Sequence, residues 1–146
     1  MTTSAHQNSA RPDRAPGSVQ IERLRGNCMG AAVLLIIEFS IGVAVNLYVT
    51  LPAHKSFFST VFGSATLAAH AVVALVLLGA AVAALVRAIR SKKASLLTAV
   101  GLAAILVAAV AGSSFATNQS NGASLTMALG TAVAMFCYTA AVFSLR

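Results

Sequence analysis

Residues 26–51 read GNCMGAAVLLIIEFSIGVAVNLYVTL, and Glu38 is the single formally charged side chain among them. A helix needs about 20 apolar residues to cross the hydrocarbon core of a bilayer, so this run is long enough to span a membrane. It is also longer than the apolar region of a cleaved signal peptide, so we expect it to remain in the protein as an anchor. The run therefore predicts a transmembrane helix.

Three further apolar runs follow, at about 66–86, 95–115 and 123–144. Residues of apolar type make up 58% of the chain and charged residues only 9%, with a mean hydropathy of +0.86. Soluble domains carry roughly a quarter charged residues, so this chain has too few charges to cover a globule in water. We predict an all-α fold, with a transmembrane four-helix bundle over residues 23–146 and a disordered cytoplasmic tail over residues 1–22.

The basic residues lie outside the apolar runs. Most of them fall in segments that lie on the same side of the membrane if successive spans alternate in direction. Four precede the first run, four lie between the second and third, and one ends the chain: Arg11, Arg14, Arg23, Arg25, Arg87, Arg90, Lys92, Lys93 and Arg146. The other two connections contain only Lys55. Because Lys and Arg in short loops stay in the cytoplasm, both termini are predicted to be cytoplasmic.

Short connections make neighbouring helices antiparallel, so we predict an up-down-up-down bundle. Alanine-rich spans and a preference for Arg over Lys favour the bacterial inner membrane. The basic residues form collars at the ends of spans, where they face anionic lipid headgroups. This placement argues against a nucleic-acid partner.

Small residues recur at one-turn spacing in two of the predicted spans. Ala104, Ala108 and Gly112 form one such series, and Gly130 and Ala134 form a pair. Helices in lipid associate through close packing of small residues, because hydrophobic burial gives little advantage there. The spacing predicts close contacts between helices at these positions.

Glu38 is the most informative side chain of the spans. At 1.5 Å per residue it lies about 18 Å along the helix from Gly26, near the middle of the bilayer. An ionised carboxylate at that depth costs about 2.5 kcal/mol or more. No Lys or Arg lies within an apolar run to pair with it. We predict that Glu38 and Asn46 form an intramembrane polar site. In one interpretation Glu38 is a neutral acid that forms a hydrogen bond to another helix. In the other it binds protons or cations, or contacts a partner subunit.

His70, His54 and Met127 are the candidate ligands of a cofactor, because all three lie near the outer ends of predicted spans. Membrane b-type cytochromes hold haem between two histidines of adjacent helices, and a methionine can replace one of them. His70 with His54 or Met127 is therefore a candidate haem b site. The alternative is that His70 is an interfacial hydrogen-bonding residue. No site for another metal is predicted.

The sequence contains no nucleophile elbow, phosphate loop, HExxH pair or CxxC pair. We therefore expect a non-enzymatic protein that acts as an accessory or partner-binding subunit of a membrane complex. Its partner would be another membrane protein or a second copy of the chain. A haem-binding redox protein that uses His70 and a small proton-coupled transporter that uses Glu38 are the two alternatives.

The stretch Asn46–Pro52, NLYVTLP, is followed by a histidine in the next predicted helix. This pattern resembles small bacterial four-helix membrane proteins to which no activity is assigned. Four short spans with one mid-membrane glutamate in the first span also look like the small multidrug-resistance transporters. In that family the glutamate exchanges protons for a cationic drug, and the resemblance implies this role for Glu38.

Overall fold

The computed structural model describes residues 16–48 and 57–146, which form five helices. These are α1 (Pro16–Tyr48), α2 (Phe57–Phe62), α3 (Ala65–Ser91), α4 (Ser95–Asn118) and α5 (Asn121–Ser144). α1, α3, α4 and α5 are each long and apolar enough to cross a membrane. The predicted all-α fold with four candidate spans is confirmed.

The first helix begins earlier than its apolar run. α1 starts at Pro16, so residues 16–22 are helical, whereas the sequence predicted that they belong to a disordered tail. Proline is favoured at the first helical position because it lacks an N–H group that would need a partner there. Residues 1–15 of the predicted tail, and the segment 49–56 with His54 and Lys55, lie outside the described residues.

The four long helices contact one another in a ring. α1 packs on α3 and on α5, α3 packs on α4, and the interface between α4 and α5 is the most extensive. Small residues form much of the core, notably Ala31, Ala81, Ala84, Ala88, Ala134 and Ala141, which are completely buried. Their size lets the helix backbones approach closely, which is the main source of helix association in lipid.

The α4–α5 interface uses the small residues that the sequence indicated. A Cβ atom added at Gly130 would lie 3.0 Å from the carbonyl oxygen of Ala104 and 3.2 Å from the Cβ atom of Ala108. A Cβ atom at Gly112 would lie 3.2 Å from the sulfur of Met127. The predicted close contacts at these positions are confirmed.

The outer surface of the four long helices is strongly apolar. Leu75 on α3 and Phe136 on α5 are 70% and 72% exposed, and many other large apolar side chains are also exposed. Soluble monomers rarely expose apolar patches of this extent, whereas a bilayer solvates them. The four helices and this surface are compatible with a polytopic membrane protein.

Candidate functional site

An acid–imidazole pair joins α1 to α3. Oε1 of Glu38 lies 3.1 Å from Nδ1 of His70. Glu38 lies within the apolar part of α1, and His70 lies in the second turn of α3. From the sequence, these residues are expected at two separate sites, one at mid-bilayer and one near the outer surface. The structure brings them together.

The pair is largely enclosed. The Glu38 side chain is 12% exposed and the His70 side chain is 23% exposed. Nδ1 and Oε1 are at ion-pair distance but lack the alignment of a hydrogen bond, so their attraction depends on a proton on the ring. The second carboxylate oxygen of Glu38, Oε2, is buried and has no hydrogen-bond partner within residues 16–48 and 57–146.

The imidazole ring packs over Gly42, which follows Glu38 by one helical turn and shares its face of α1. A Cβ atom at Gly42 would lie 3.3 Å from Cε1 and 4.0 Å from Nε2 of His70. The group that packs on this glycine is therefore a side chain, the imidazole of His70, and not the backbone of a neighbouring helix.

A small apolar cluster adjoins the pair on the side of α2. Val45 of α1, Val61 of α2 and Leu67 of α3 are buried together. Ile41 and Ala71 pack against these three residues and are the sequence neighbours of Gly42 and His70. The pair therefore lies next to buried apolar side chains on both α1 and α3.

Chemically, the pair can hold and release protons. With one titratable proton between them, a carboxyl group and an imidazole form either a neutral acid with a neutral ring or a carboxylate with an imidazolium, and loss of that proton leaves a carboxylate beside a neutral ring. Histidine is the side chain whose charge changes most readily near neutral pH.

The other predicted site residues lie apart from the pair. Asn46 is exposed on α1, two turns beyond Glu38. Met127 packs against Gly112 at the α4–α5 interface, whereas His70 packs at the α1–α3 interface. His54 lies outside the described residues, so haem ligation by His70 with His54 or Met127 stays a prediction. In the described part of the chain no three His, Cys, Asp or Glu side chains could hold a metal ion together.

A second polar contact joins α1 to α3 near the other end of the two helices. Nη1 of Arg87 donates to Oδ1 of Asn27 at 3.0 Å and to the backbone carbonyl of Arg23 at 3.4 Å. The sequence indicated Arg87 only as part of the basic loop. Its side chain also has a structural role, because it connects the end of α3 to the first half of α1.

No family model, curated protein or solved structure matches this chain. What the protein does must therefore be inferred from the contacts of its own residues.

Proposed function

We propose that this protein is a small, non-enzymatic, proton-coupled transporter of the bacterial inner membrane. The observation that supports the proposal is the 3.1 Å contact between Glu38 and His70. Ionisable residues inside spans are costly, and where they occur they mark ion pathways and proton relays. A paired carboxyl and imidazole group within the spans fits a proton-exchanging site better than it fits a structural core.

The pair would exchange a proton for a cationic solute. In the proton-loaded state, imidazolium and carboxylate neutralise each other. When the ring releases its proton to water, the carboxylate of Glu38 loses its countercharge. A cation or another proton is then favoured beside it. Release of one proton and binding of one monovalent cation leave the charge of the site unchanged, and only bonds to the proton are made or broken.

We propose that both termini are cytoplasmic and that the long helices run up-down-up-down. Asn27 contacts Arg87, and Glu38, farther along α1, contacts His70, which comes earlier on α3. This order supports antiparallel α1 and α3. Arg87 also contacts Arg23, so basic residues of two helices lie at the same end, and by the positive-inside rule we propose that this end is cytoplasmic.

Glu38→Gln tests the transport proposal. The purified protein is reconstituted into liposomes that contain a pH-sensitive dye, and ethidium serves as the cationic probe, because the resemblance to multidrug transporters implies a cationic substrate. We expect ethidium-driven proton flux from the unmodified protein and a loss on the order of a hundredfold in the variant, since the neutral amide offers no negative charge to the cation once the ring has released its proton.

Glu22→Gln is the matched control, because Glu22 is the other carboxylate of α1 and is exposed. This variant should retain the flux. Equal fluxes from the Glu38→Gln variant and the unmodified protein would exclude Glu38 from the exchange.

A second candidate function is an accessory or partner-binding subunit. The partial exposure of the pair favours this role, because 12% of the Glu38 side chain and 23% of the His70 side chain remain accessible. Polar groups that face hydrocarbon are costly, so a membrane partner or a second copy that covers them would be stabilising. Purification in a mild detergent should then yield a stoichiometric complex or a homo-oligomer. A monomer without a partner would argue against this role.

A further inference from the structure

We infer that Gly42 is a positioning residue for the pair: the missing side chain at this position lets the imidazole of His70 pack against α1 within reach of Glu38. The inference rests on the proposed function of the pair and assigns a further residue to it. Gly42 does not itself exchange a proton. It acts through the position of His70.

The ring of His70 contacts two neighbouring turns of α1. Its Nδ1 atom faces Glu38 at 3.1 Å, and its Cε1 atom lies 3.3 Å from the position that a Cβ atom of residue 42 would take. Optimal separations between non-bonded carbon atoms are about 3.5–4.0 Å. A Cβ atom at residue 42 would therefore displace the ring from α1 by a few tenths of an ångström, and we expect this displacement to lengthen the contact with Oε1 of Glu38.

The other glycines of α1 lack such a contact. A Cβ atom at Gly17, Gly26 or Gly30 would meet no atom within 4 Å. Glycine within a helix is less stable than alanine by about 0.5–1 kcal/mol, and at residue 42 the close fit of the imidazole can offset this cost. Gly42 is thus distinguished from the other three by the imidazole ring that packs on it.

Gly42 also affects the second nitrogen of the ring. Since Nδ1 faces Glu38, Nε2 is the atom left to exchange a proton with water. Nε2 lies 4.0 Å from the position of the absent Cβ atom, so a side chain there would be in van der Waals contact with it, and we expect a larger one to hinder water at this atom. A substitution at residue 42 should therefore weaken both the contact with Glu38 and the access to Nε2.

The test uses the full-length protein with ¹⁵N-labelled histidine in lipid nanodiscs, and it measures the Nδ1 resonance of His70. A His70→Gln variant assigns this resonance among the three histidines of the chain. Glu38→Gln is introduced into the unmodified protein, into Gly42→Ala and into Gly30→Ala. We expect Glu38→Gln to shift the resonance in the unmodified protein and in Gly30→Ala. In Gly42→Ala we expect this shift to be clearly smaller.

Gly30→Ala is the matched control, because it makes the same change on the same helix where nothing lies within 4 Å. A full shift in the Gly42→Ala background would overturn the inference about Gly42 and leave the pair intact. If Glu38→Gln shifts nothing in the unmodified protein, the pair itself is absent, and the proposed function fails together with the inference.

A second readout separates positioning from folding. In the liposome assay, Gly42→Ala should reduce proton flux on the order of tenfold, since small displacements of a reacting group are costly, while Gly30→Ala retains it. Circular dichroism and gel filtration should show the same helical content and particle size for both variants. Wild-type flux in Gly42→Ala would also overturn the inference.

Discussion

At the level of single residues, the glycines of this bundle fall into two groups, those with atoms of another residue close to their Cβ position and those that face open space. Gly101 on α4 belongs to the first group. The ring of Tyr138 packs on it, and a Cβ atom there would lie 2.8 Å from Cε2 and 3.2 Å from Cζ. Tyr138 is completely buried, so its ring has little room to move.

We therefore expect Gly101→Ala to lower the free energy of unfolding by about 1–3 kcal/mol, the usual cost of overpacking a core. Thermal unfolding in detergent measures the change. Gly79→Ala on α3 is the control, because nothing lies within 4 Å of its Cβ position. There the higher helix propensity of alanine should leave stability unchanged or raise it by up to about 1 kcal/mol. Equal unfolding temperatures for the two variants would contradict the prediction.

The sequence identified both members of the candidate site but not their contact. Glu38 was conspicuous because it is the only carboxylate in an apolar run, and His70 because it is a titratable residue near the end of another. Their pairing depends on how far α3 is displaced along α1. That offset is set by packing between the two helices, and the hydropathy of each separate run gives no information about it. For the same reason the sequence could not show which group packs on Gly42.

At the level of helices, the α4–α5 pair depends on contacts between backbones. The atom nearest to an added Cβ at Gly130 is the carbonyl oxygen of Ala104, which belongs to the backbone of α4 and cannot rotate away as a side chain can. The spacing of small residues predicted this contact region, because small side chains at one-turn intervals let the backbones of membrane helices approach closely.

Gly130→Ala should force α4 and α5 apart and lower the free energy of unfolding by about 1–3 kcal/mol. Gly122→Ala on the same helix serves as the control, since its Cβ position has no atom within 4 Å. Unfolding in a mild detergent, followed by circular dichroism, compares the two. A Gly130→Ala variant that is as stable as Gly122→Ala would show that the close approach does not contribute to stability.

The bounds of the helices were less predictable than their number. Four long apolar runs indicated four long helices, but α1 extends back to Pro16 through Glu22, Arg23 and Arg25. Charged residues lower the hydropathy of this segment without preventing a helix, because backbone hydrogen bonds form in water as well as in lipid. Hydropathy therefore indicates the part of a helix that suits a membrane and does not define its first turn.

At the level of the whole molecule, the proposed orientation follows from the basic residues at the start of α1 and in the connection between α3 and α4. We expect a green fluorescent protein fused after Arg146 to fluoresce in cells, and alkaline phosphatase fused at the same position to be inactive, because the C-terminus is proposed to be cytoplasmic.

The complementary fusion places the phosphatase in the connection between α4 and α5, at Gln119. It should be active there, because this connection contains no basic residue and is proposed to face outward. An active phosphatase after Arg146 would refute the proposed orientation.

The two polar contacts between α1 and α3 restrict how the molecule can rearrange. A slide of α3 along α1 by one turn, about 5.4 Å, would break Arg87–Asn27 and Glu38–His70 together. Rotation of either helix about its own axis would break them as well. A transition that preserves both contacts must carry α1 and α3 as one rigid unit. Rocking of this unit against α4 and α5 would then expose the acid–imidazole pair to alternate sides without separating its two members.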